Sequence, residues 1–327
     1  MSEKKKKLTG LLILEIILIL LLLVTIQYEK YLLTAVVAFK LLFVSFRYYH
    51  LRRLLESFSN FRNFKHQPDE GSFEGQAPEL FLNNKQKTGV LLLHGFSSTP
   101  REFKPLTDQL REKSIPYYAP ILTGFGLDDT HLLSVIRAQD WMRDAVNAFD
   151  LLSADCDEVC IVGNSMGALL ACHIASKRFV PKLILTAPYL LSKKKHELGR
   201  KLLIGSPIGW LIRMFNPYVK KSGKSKAQTN LHDPEPRFVY DVVPVRSIEA
   251  MWRLQDRVQY EKVRAGDSLV ITGQNDNTVE NERVFPLLDK IGLDYQKMEL
   301  PETGHLIFRG PEAFNAVKKI LEFLEKE

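Results

Sequence analysis

Hydrophobic and polar positions change their pattern sharply along this chain. Leu8–Ile26 is an almost unbroken apolar run, interrupted only by Thr9, Gly10, Glu15 and Thr25, and a shorter apolar stretch, Tyr31–Phe46, contains Lys40. From about Leu80 the pattern becomes short branched runs separated by segments of helical spacing. Thr88–His94, Glu158–Val162, Lys182–Thr186 and Ser268–Thr272 have the continuous apolar character of parallel strands buried on both faces. Asp294–Leu300 alternates as a further strand, and Pro311 to about Glu325 reads as a C-terminal helix. Strands alternating with helices predict an α/β domain, a doubly wound and mostly parallel sheet. The expected organisation is a membrane anchor over 1–58, a polar Gly- and Pro-containing linker over 59–78, and one domain over 79–327 with an insertion at about 188–246.

The first run spans 19 residues, and at about 1.5 Å per residue that length can cross a hydrocarbon core of about 30 Å. It is long for the apolar core of a cleavable signal peptide, and no A-x-A-like site follows it. Membrane residues are therefore expected within 8–49, in a protein integral to the cell membrane. Two spans would form a helical hairpin with Lys4–Lys7 and Arg47, Arg52 and Arg53 on one side, which places the following domain at the cytoplasmic face. A single span would place it outside. A hairpin folded at Gln27–Lys30 predicts that Glu15 and Lys40 meet, since ionisable groups at membrane depth tend to pair.

Candidate chemistry centres on Gly163-Asn164-Ser165-Met166-Gly167, a G-x-S-x-G sequence between the run Glu158–Val162 and the small-residue helix Ala168–Lys177. A serine on so sharp a strand-to-helix turn takes a backbone conformation costing about 1–3 kcal/mol. Side chains two positions away would collide with strand and helix, so glycine stands at Gly163 and Gly167. If Ser165 is a nucleophile, an acid and a histidine must follow it in that order. Asp276 lies in the loop after Ser268–Thr272, whereas Asp267 sits at the wrong end of that strand and Asp289 falls inside the next helix. His305 is the only histidine downstream of Asp276. Neutral imidazole would take the Ser165 proton and Asp276 would fix its tautomer. The loop after Thr88–His94 precedes the nucleophile, so the backbone N–H groups of Phe96 and Met166 are the expected oxyanion donors. His94 is expected to have a structural role.

The HGF turn at His94–Phe96, the GNSMG turn, the GQNDNTV loop at Gly273–Val279 and Thr303-Gly304-His305 together resemble the small bacterial carboxylesterases and monoacylglycerol lipases of the α/β-hydrolase superfamily. The resemblance runs from about Leu80 to the C-terminus. Ala119–Leu133 is similar to the family's proline- and glycine-containing loop, but Gly124-Phe125-Gly126 stands where the family often has G-H-G. The resemblance implies hydrolysis of short- to medium-chain esters or monoacylglycerols through an acyl-enzyme, with no metal and no organic cofactor, and the leading reading is a membrane-anchored serine ester hydrolase of lipid-like esters such as monoacylglycerol or lysophospholipid. The same triad would serve an acyltransferase, and a third reading is a non-catalytic, membrane-tethered binding module.

The insertion has no counterpart in the sheet, and in such a fold it is expected to form a lid. Its segment Ile204–Val219 is strongly apolar and flanked by lysines. Trp210, Leu211, Met214 and Phe215 are the candidates to line an acyl pocket. The alternative is that these residues only pack the insertion onto the domain. The net charge of +7 gathers at Lys4–Lys7, at Arg47–Arg53 and in Lys193–Lys226, and without a nucleic-acid motif that clustering argues against a nucleic-acid partner. Three cysteines, Cys156, Cys160 and Cys172, have neither the number nor the spacing of a disulfide framework or zinc site.

Overall fold

The computed structural model describes residues 12–23, 31–57, 66–67, 72–73, 76–83, 87–127, 129–204, 206–220, 239–240 and 242–326. Lys4–Lys7, the ends of the first apolar run, most of the expected linker and part of the insertion lie outside the described residues. Helix α1 (residues 12–23) packs on α2 (Tyr31–Ser57) through Leu18 and Leu22 on one side and Val37, Leu41 and Val44 on the other. These are i, i+4 and i, i+4, i+7 sets, so each helix offers one stripe to the other.

Two sequence expectations are corrected here. Among the described residues no helix is long and apolar enough to cross a membrane. The ends of the first run lie outside the described residues, and α2 carries Lys40 and Arg47 within its apolar length. The hairpin register also differs from the expected one. Glu15 accepts a hydrogen bond from the Ser45 hydroxyl rather than meeting Lys40. That pairing centres the hairpin near residue 30, beyond the midpoint of the assumed turn, and the shift moves Lys40 away from the depth of Glu15.

Within the expected linker, β1 (His66–Gln67) and β2 (Ser72–Phe73) pair antiparallel. The domain then runs β3 (Glu79–Phe81), β4 (Thr88–Leu93), α3 (Lys104–Glu112), β5 (Tyr117–Ala119), α4 (Ala138–Leu152), β6 (Glu158–Asn164), α5 (Met166–Ala175) and β7 (Val180–Thr186). The insertion contributes α6 (Lys194–Leu203), α7 (Pro207–Phe215), and β8 (Tyr218–Lys220) paired antiparallel with β9 (Val242–Pro244). Next come α8 (Val245–Arg257), β10 (Ala265–Gly273), α9 (Asn281–Lys290), β11 (Gln296–Leu300) and α10 (Ala313–Glu325).

Seven strands form one sheet in the order β11-β10-β7-β6-β4-β5-β3. All neighbours are parallel except β3, which runs antiparallel to β5 at the edge. Strand alternation explains why the central runs are apolar throughout. Leu91, Leu93, Ile161, Leu183, Leu185 and Val270 face a core built with α4, α5, α8 and α9. Val90, Leu92, Val162, Ile184, Leu269 and Ile271 face a second core built with α3 and α10. A strand covered on both faces carries mostly apolar side chains on each. The carboxyl ends of β4, β6, β7 and β10 converge on one rim, where ligands bind in open parallel sheets.

Candidate active site

Ser165 sits between β6 and α5 with φ 54° and ψ −110°, in the left-handed half of conformational space that costs a serine about 1–3 kcal/mol. The neighbours that enforce this are specific. The Ser165 N–H donates to the Thr186 carbonyl at 2.9 Å, and its carbonyl accepts from Ala168 and Tyr189. A Cβ on Gly167 would lie 1.8 Å from the Leu93 carbonyl oxygen, and one on Gly163 would lie 2.5 Å from the Gly167 oxygen. The turn therefore closes against β4 only with glycine at both positions.

The structure brings together the three side chains picked from the order along the chain. Ser165 Oγ lies 2.9 Å from His305 Nε2, and His305 Nδ1 lies 2.7 Å from Asp276 Oδ2. Asp276 is fixed in turn, because its Oδ1 accepts the backbone N–H groups of Thr278 at 2.6 Å and Val279 at 3.0 Å. Burial pushes the Asp276 carboxyl up. The neighbouring His305 and the donors of Val279 and Thr278 outweigh it and hold the group below the usual carboxylate range. An ionised Asp276 on Nδ1 requires the proton there and leaves Nε2 as the acceptor for the Ser165 hydroxyl.

The loop after β4 reaches the same point. Of the expected oxyanion donors, Phe96 lines the cavity with Ser165, and Met166 follows Ser165 as the first residue of α5, where helical N–H groups have no intrahelical acceptor. A turn from Ser98 N–H to the Gly95 carbonyl and a positive φ of 59° at Ser97 shape this loop. His94 is structural: the Leu122 N–H donates to its Nε2 at 3.0 Å, so Nδ1 carries the proton given to the Gly95 carbonyl at 2.9 Å. Burial keeps this imidazole neutral by lowering its pKa.

Two residues near the site were not singled out from sequence. Glu102 accepts the Gly95 N–H at 2.7 Å and lines the cavity above Ser165. Its signal was available, a carboxylate within one turn of the loop after β4. Gln76 is fully buried and accepts the Thr99 hydroxyl at 2.6 Å; it sits just before β3 in a polar stretch, with no local pattern to mark it.

Ser165 opens into a cavity of about 630 Å³. Leu203, Ile212, Val243, Ile248, Met251 and Trp252 supply its apolar wall, and Lys193, Lys195 and His196 its basic end. Trp210, Leu211, Met214 and Phe215 are not in this lining, which departs from the sequence expectation. The rotation of α7 is the reason. Ile212 faces the cavity together with Asn216. Trp210, Arg213, Met214 and Pro217, spaced i, i+3, i+4, i+7, face a second cavity. Trp210 and Leu211 are 59% and 43% exposed. Phe215 instead meets the edges of Phe39, Phe43 and Phe46 on α2, at ring-centroid distances of 5.7, 6.2 and 6.3 Å. Among the described residues no group of three or more His, Cys, Asp or Glu is placed to hold a metal ion, and Cys156, Cys160 and Cys172 are buried free thiols.

Comparison with known proteins agrees with this geometry. A profile of the alpha/beta hydrolase family matches residues 90–317. The chain is 22% identical over 256 residues to a carboxylesterase of Bacillus subtilis (strain 168), a match covering 76% of this chain and 97% of that one. It is 30% identical over 99 residues to a thermostable monoacylglycerol lipase of Bacillus sp. (strain H-257), but that match spans 30% of this chain and 38% of the relative's length. Among solved structures, one from work on LipS and LipT, two metagenome-derived lipolytic enzymes, superposes with a TM-score of 0.65 at 20% identity, covering 78% of this chain and 99% of that one.

Proposed function

The chain belongs to the alpha/beta hydrolase family, and on that premise we propose that it is a serine hydrolase of carboxylic esters with lipid-like acyl groups. One observation carries the reading: a continuous Ser165–His305–Asp276 hydrogen-bond chain opening into an apolar-walled cavity. Ser165 Oγ attacks the ester carbonyl carbon as His305 Nε2 takes its proton. The tetrahedral oxyanion is received by the N–H groups of Phe96 and Met166; losing one such donor typically costs about 100–1000-fold in rate. The C–O bond to the alcohol then breaks, the leaving oxygen takes the proton from His305, and the acyl group stays on Ser165. Water, deprotonated by the same nitrogen, attacks the acyl-enzyme and regenerates the serine.

The acyl chain occupies the wall formed by Leu203, Ile212, Ile248, Met251 and Trp252, with the insertion acting as its lid. Monoacylglycerol and lysophospholipid are the natural substrate classes for an apolar cavity with a basic end. We place the protein at the cytoplasmic face of the cell membrane. Outward-facing Leu12, Ile16, Leu20 and Leu23, each 47–59% exposed, support attachment through the apolar hairpin rather than through a described span. The reading is tested with a p-nitrophenyl ester chain-length series followed by monoacylglycerol and lysophospholipid. Turnover that peaks at an intermediate acyl length and vanishes in Ser165→Ala is expected; turnover without chain-length dependence would contradict the cavity assignment.

A further inference from the structure

The second cavity, on the far side of α7 from Ser165, has a different character. Its volume is about 400 Å³, and it lies where α2, α7 and the start of α8 meet. Arg47 from α2, Arg213 from α7 and Arg246 from α8 all line it, together with His131 and Tyr218. No Asp or Glu occurs among the described lining residues. Two of the walls are firmly held. Arg213 donates to the Leu203 carbonyl at 2.9 Å and to the Glu249 carboxylate, and the Tyr218 hydroxyl is hydrogen-bonded to His131 Nδ1.

Among the described residues the charges around this space do not cancel. Glu249 stands behind Arg213, where Arg246 and Arg253 also act on it, and burial raises its pKa against their pull. Asp129 accepts the His131 N–H at 2.9 Å and acts on Tyr218 opposite Arg47. Among the described residues Glu249 and Asp129 are the acids acting beside Arg47, Arg213 and Arg246, and neither lines the cavity. Guanidinium groups gathered around one space repel each other unless an anion joins them. The planar fork of arginine matches the oxygens of phosphate, giving paired charge-assisted hydrogen bonds.

We infer that this cavity is a binding site for a phosphate group, separate from the catalytic cavity and independent of the esterase reading. The surroundings suit either a free phosphate or the headgroup of an anionic lipid. In the second case Trp210, which lines the cavity and is 59% exposed, lies beside the headgroup to receive the tail.

The test uses the full-length chain with three probes: inorganic phosphate and glycerol 3-phosphate by titration calorimetry, and vesicles of phosphatidylcholine with or without phosphatidylglycerol by co-sedimentation. Arg47 and Arg246 are exposed, so the Arg47→Gln/Arg246→Gln double variant retains the fold, which its melting temperature checks. Lys318→Gln on α10 controls for loss of surface charge. We expect binding of at least one probe to weaken by ~tenfold or more in the double variant, the scale of a lost charge-assisted contact, with Lys318→Gln unchanged. Saturable binding of inorganic or glycerol phosphate identifies a soluble ligand; binding confined to phosphatidylglycerol vesicles identifies a lipid headgroup. The inference is overturned if no probe binds, if the double variant binds within twofold of the parent, or if Lys318→Gln loses as much.

Discussion

The nucleophile turn and helix α7 are both short apolar segments beside the same cavity, yet they are specified in opposite ways. At the turn, backbone atoms of β7, β4 and α5 set each residue: Thr186 holds the Ser165 N–H, Leu93 leaves no room for a Cβ at Gly167, and Gly167 leaves none at Gly163. On α7, side chains face three surroundings at once, the substrate cavity, the arginine-lined cavity and the phenylalanines of α2. Steric closure of a backbone allows one answer. An apolar helix with several covered faces allows several, and only its rotation decides which residue meets substrate.

This contrast is sharpest in the catalytic chain. Asp276→Asn preserves shape but permits the wrong imidazole tautomer, so kcat should fall by about 10⁴-fold while the fold is retained. A loss below tenfold, measured on a soluble ester, would show that Asp276 does not orient His305. Next in size is Gly167→Ala. With the Leu93 oxygen in the way, denaturant titration should show a loss of about 3 kcal/mol or more, whereas Gly199→Ala, with open space around it, should lose little or nothing. Equal effects at the two glycines would break the claim that the turn is sterically dictated.

On α7 the expected effects are smaller and depend on the face. Ile212→Ala should shift the preferred acyl length and change kcat/KM for long esters by about tenfold, the scale of one or two methylenes in a pocket. Phe215→Ala should leave the preference unchanged and instead loosen α2 from the insertion. A reversal of these two results would mean that α7 is rotated from the orientation described.

Much of this is legible in the sequence. Strand runs, the order Ser…Asp…His and the two turn glycines are local features whose physics acts over a few residues, and the sheet follows from runs that are apolar on both faces. What was misread depends on longer relations. The Glu15–Lys40 pairing failed because the hairpin register depends on turn length, and Glu15 meets Ser45 instead. Trp210 and Phe215 read as acyl-pocket residues because hydrophobicity alone does not report helix rotation. Glu102 and Gln76 act through contacts with the loop after β4 that no sequence period encodes.

The last effect is electrostatic and appears only on acidification. His173, buried in α5 behind the turn, has its pKa lowered to about 4, by burial first and then by Lys177. The unfolded chain takes up this proton near the ordinary histidine value of about 6.5. The neutral-histidine contribution to stability is therefore complete above that pH and is lost progressively as pH falls toward 4. Melting temperatures between pH 6.5 and 4 should decline less steeply in His173→Gln than in the parent. Parallel curves would show that His173 titrates normally in the folded protein.

The most direct test of the central claim is active-site labelling of the full-length protein with a fluorophosphonate, comparing the parent with Ser165→Ala and His305→Ala. The account predicts rapid labelling of one serine in the parent, none in Ser165→Ala, and severely slowed labelling in His305→Ala. Labelling that persists in Ser165→Ala, or a folded parent that does not label even with detergent or vesicles present, would contradict it.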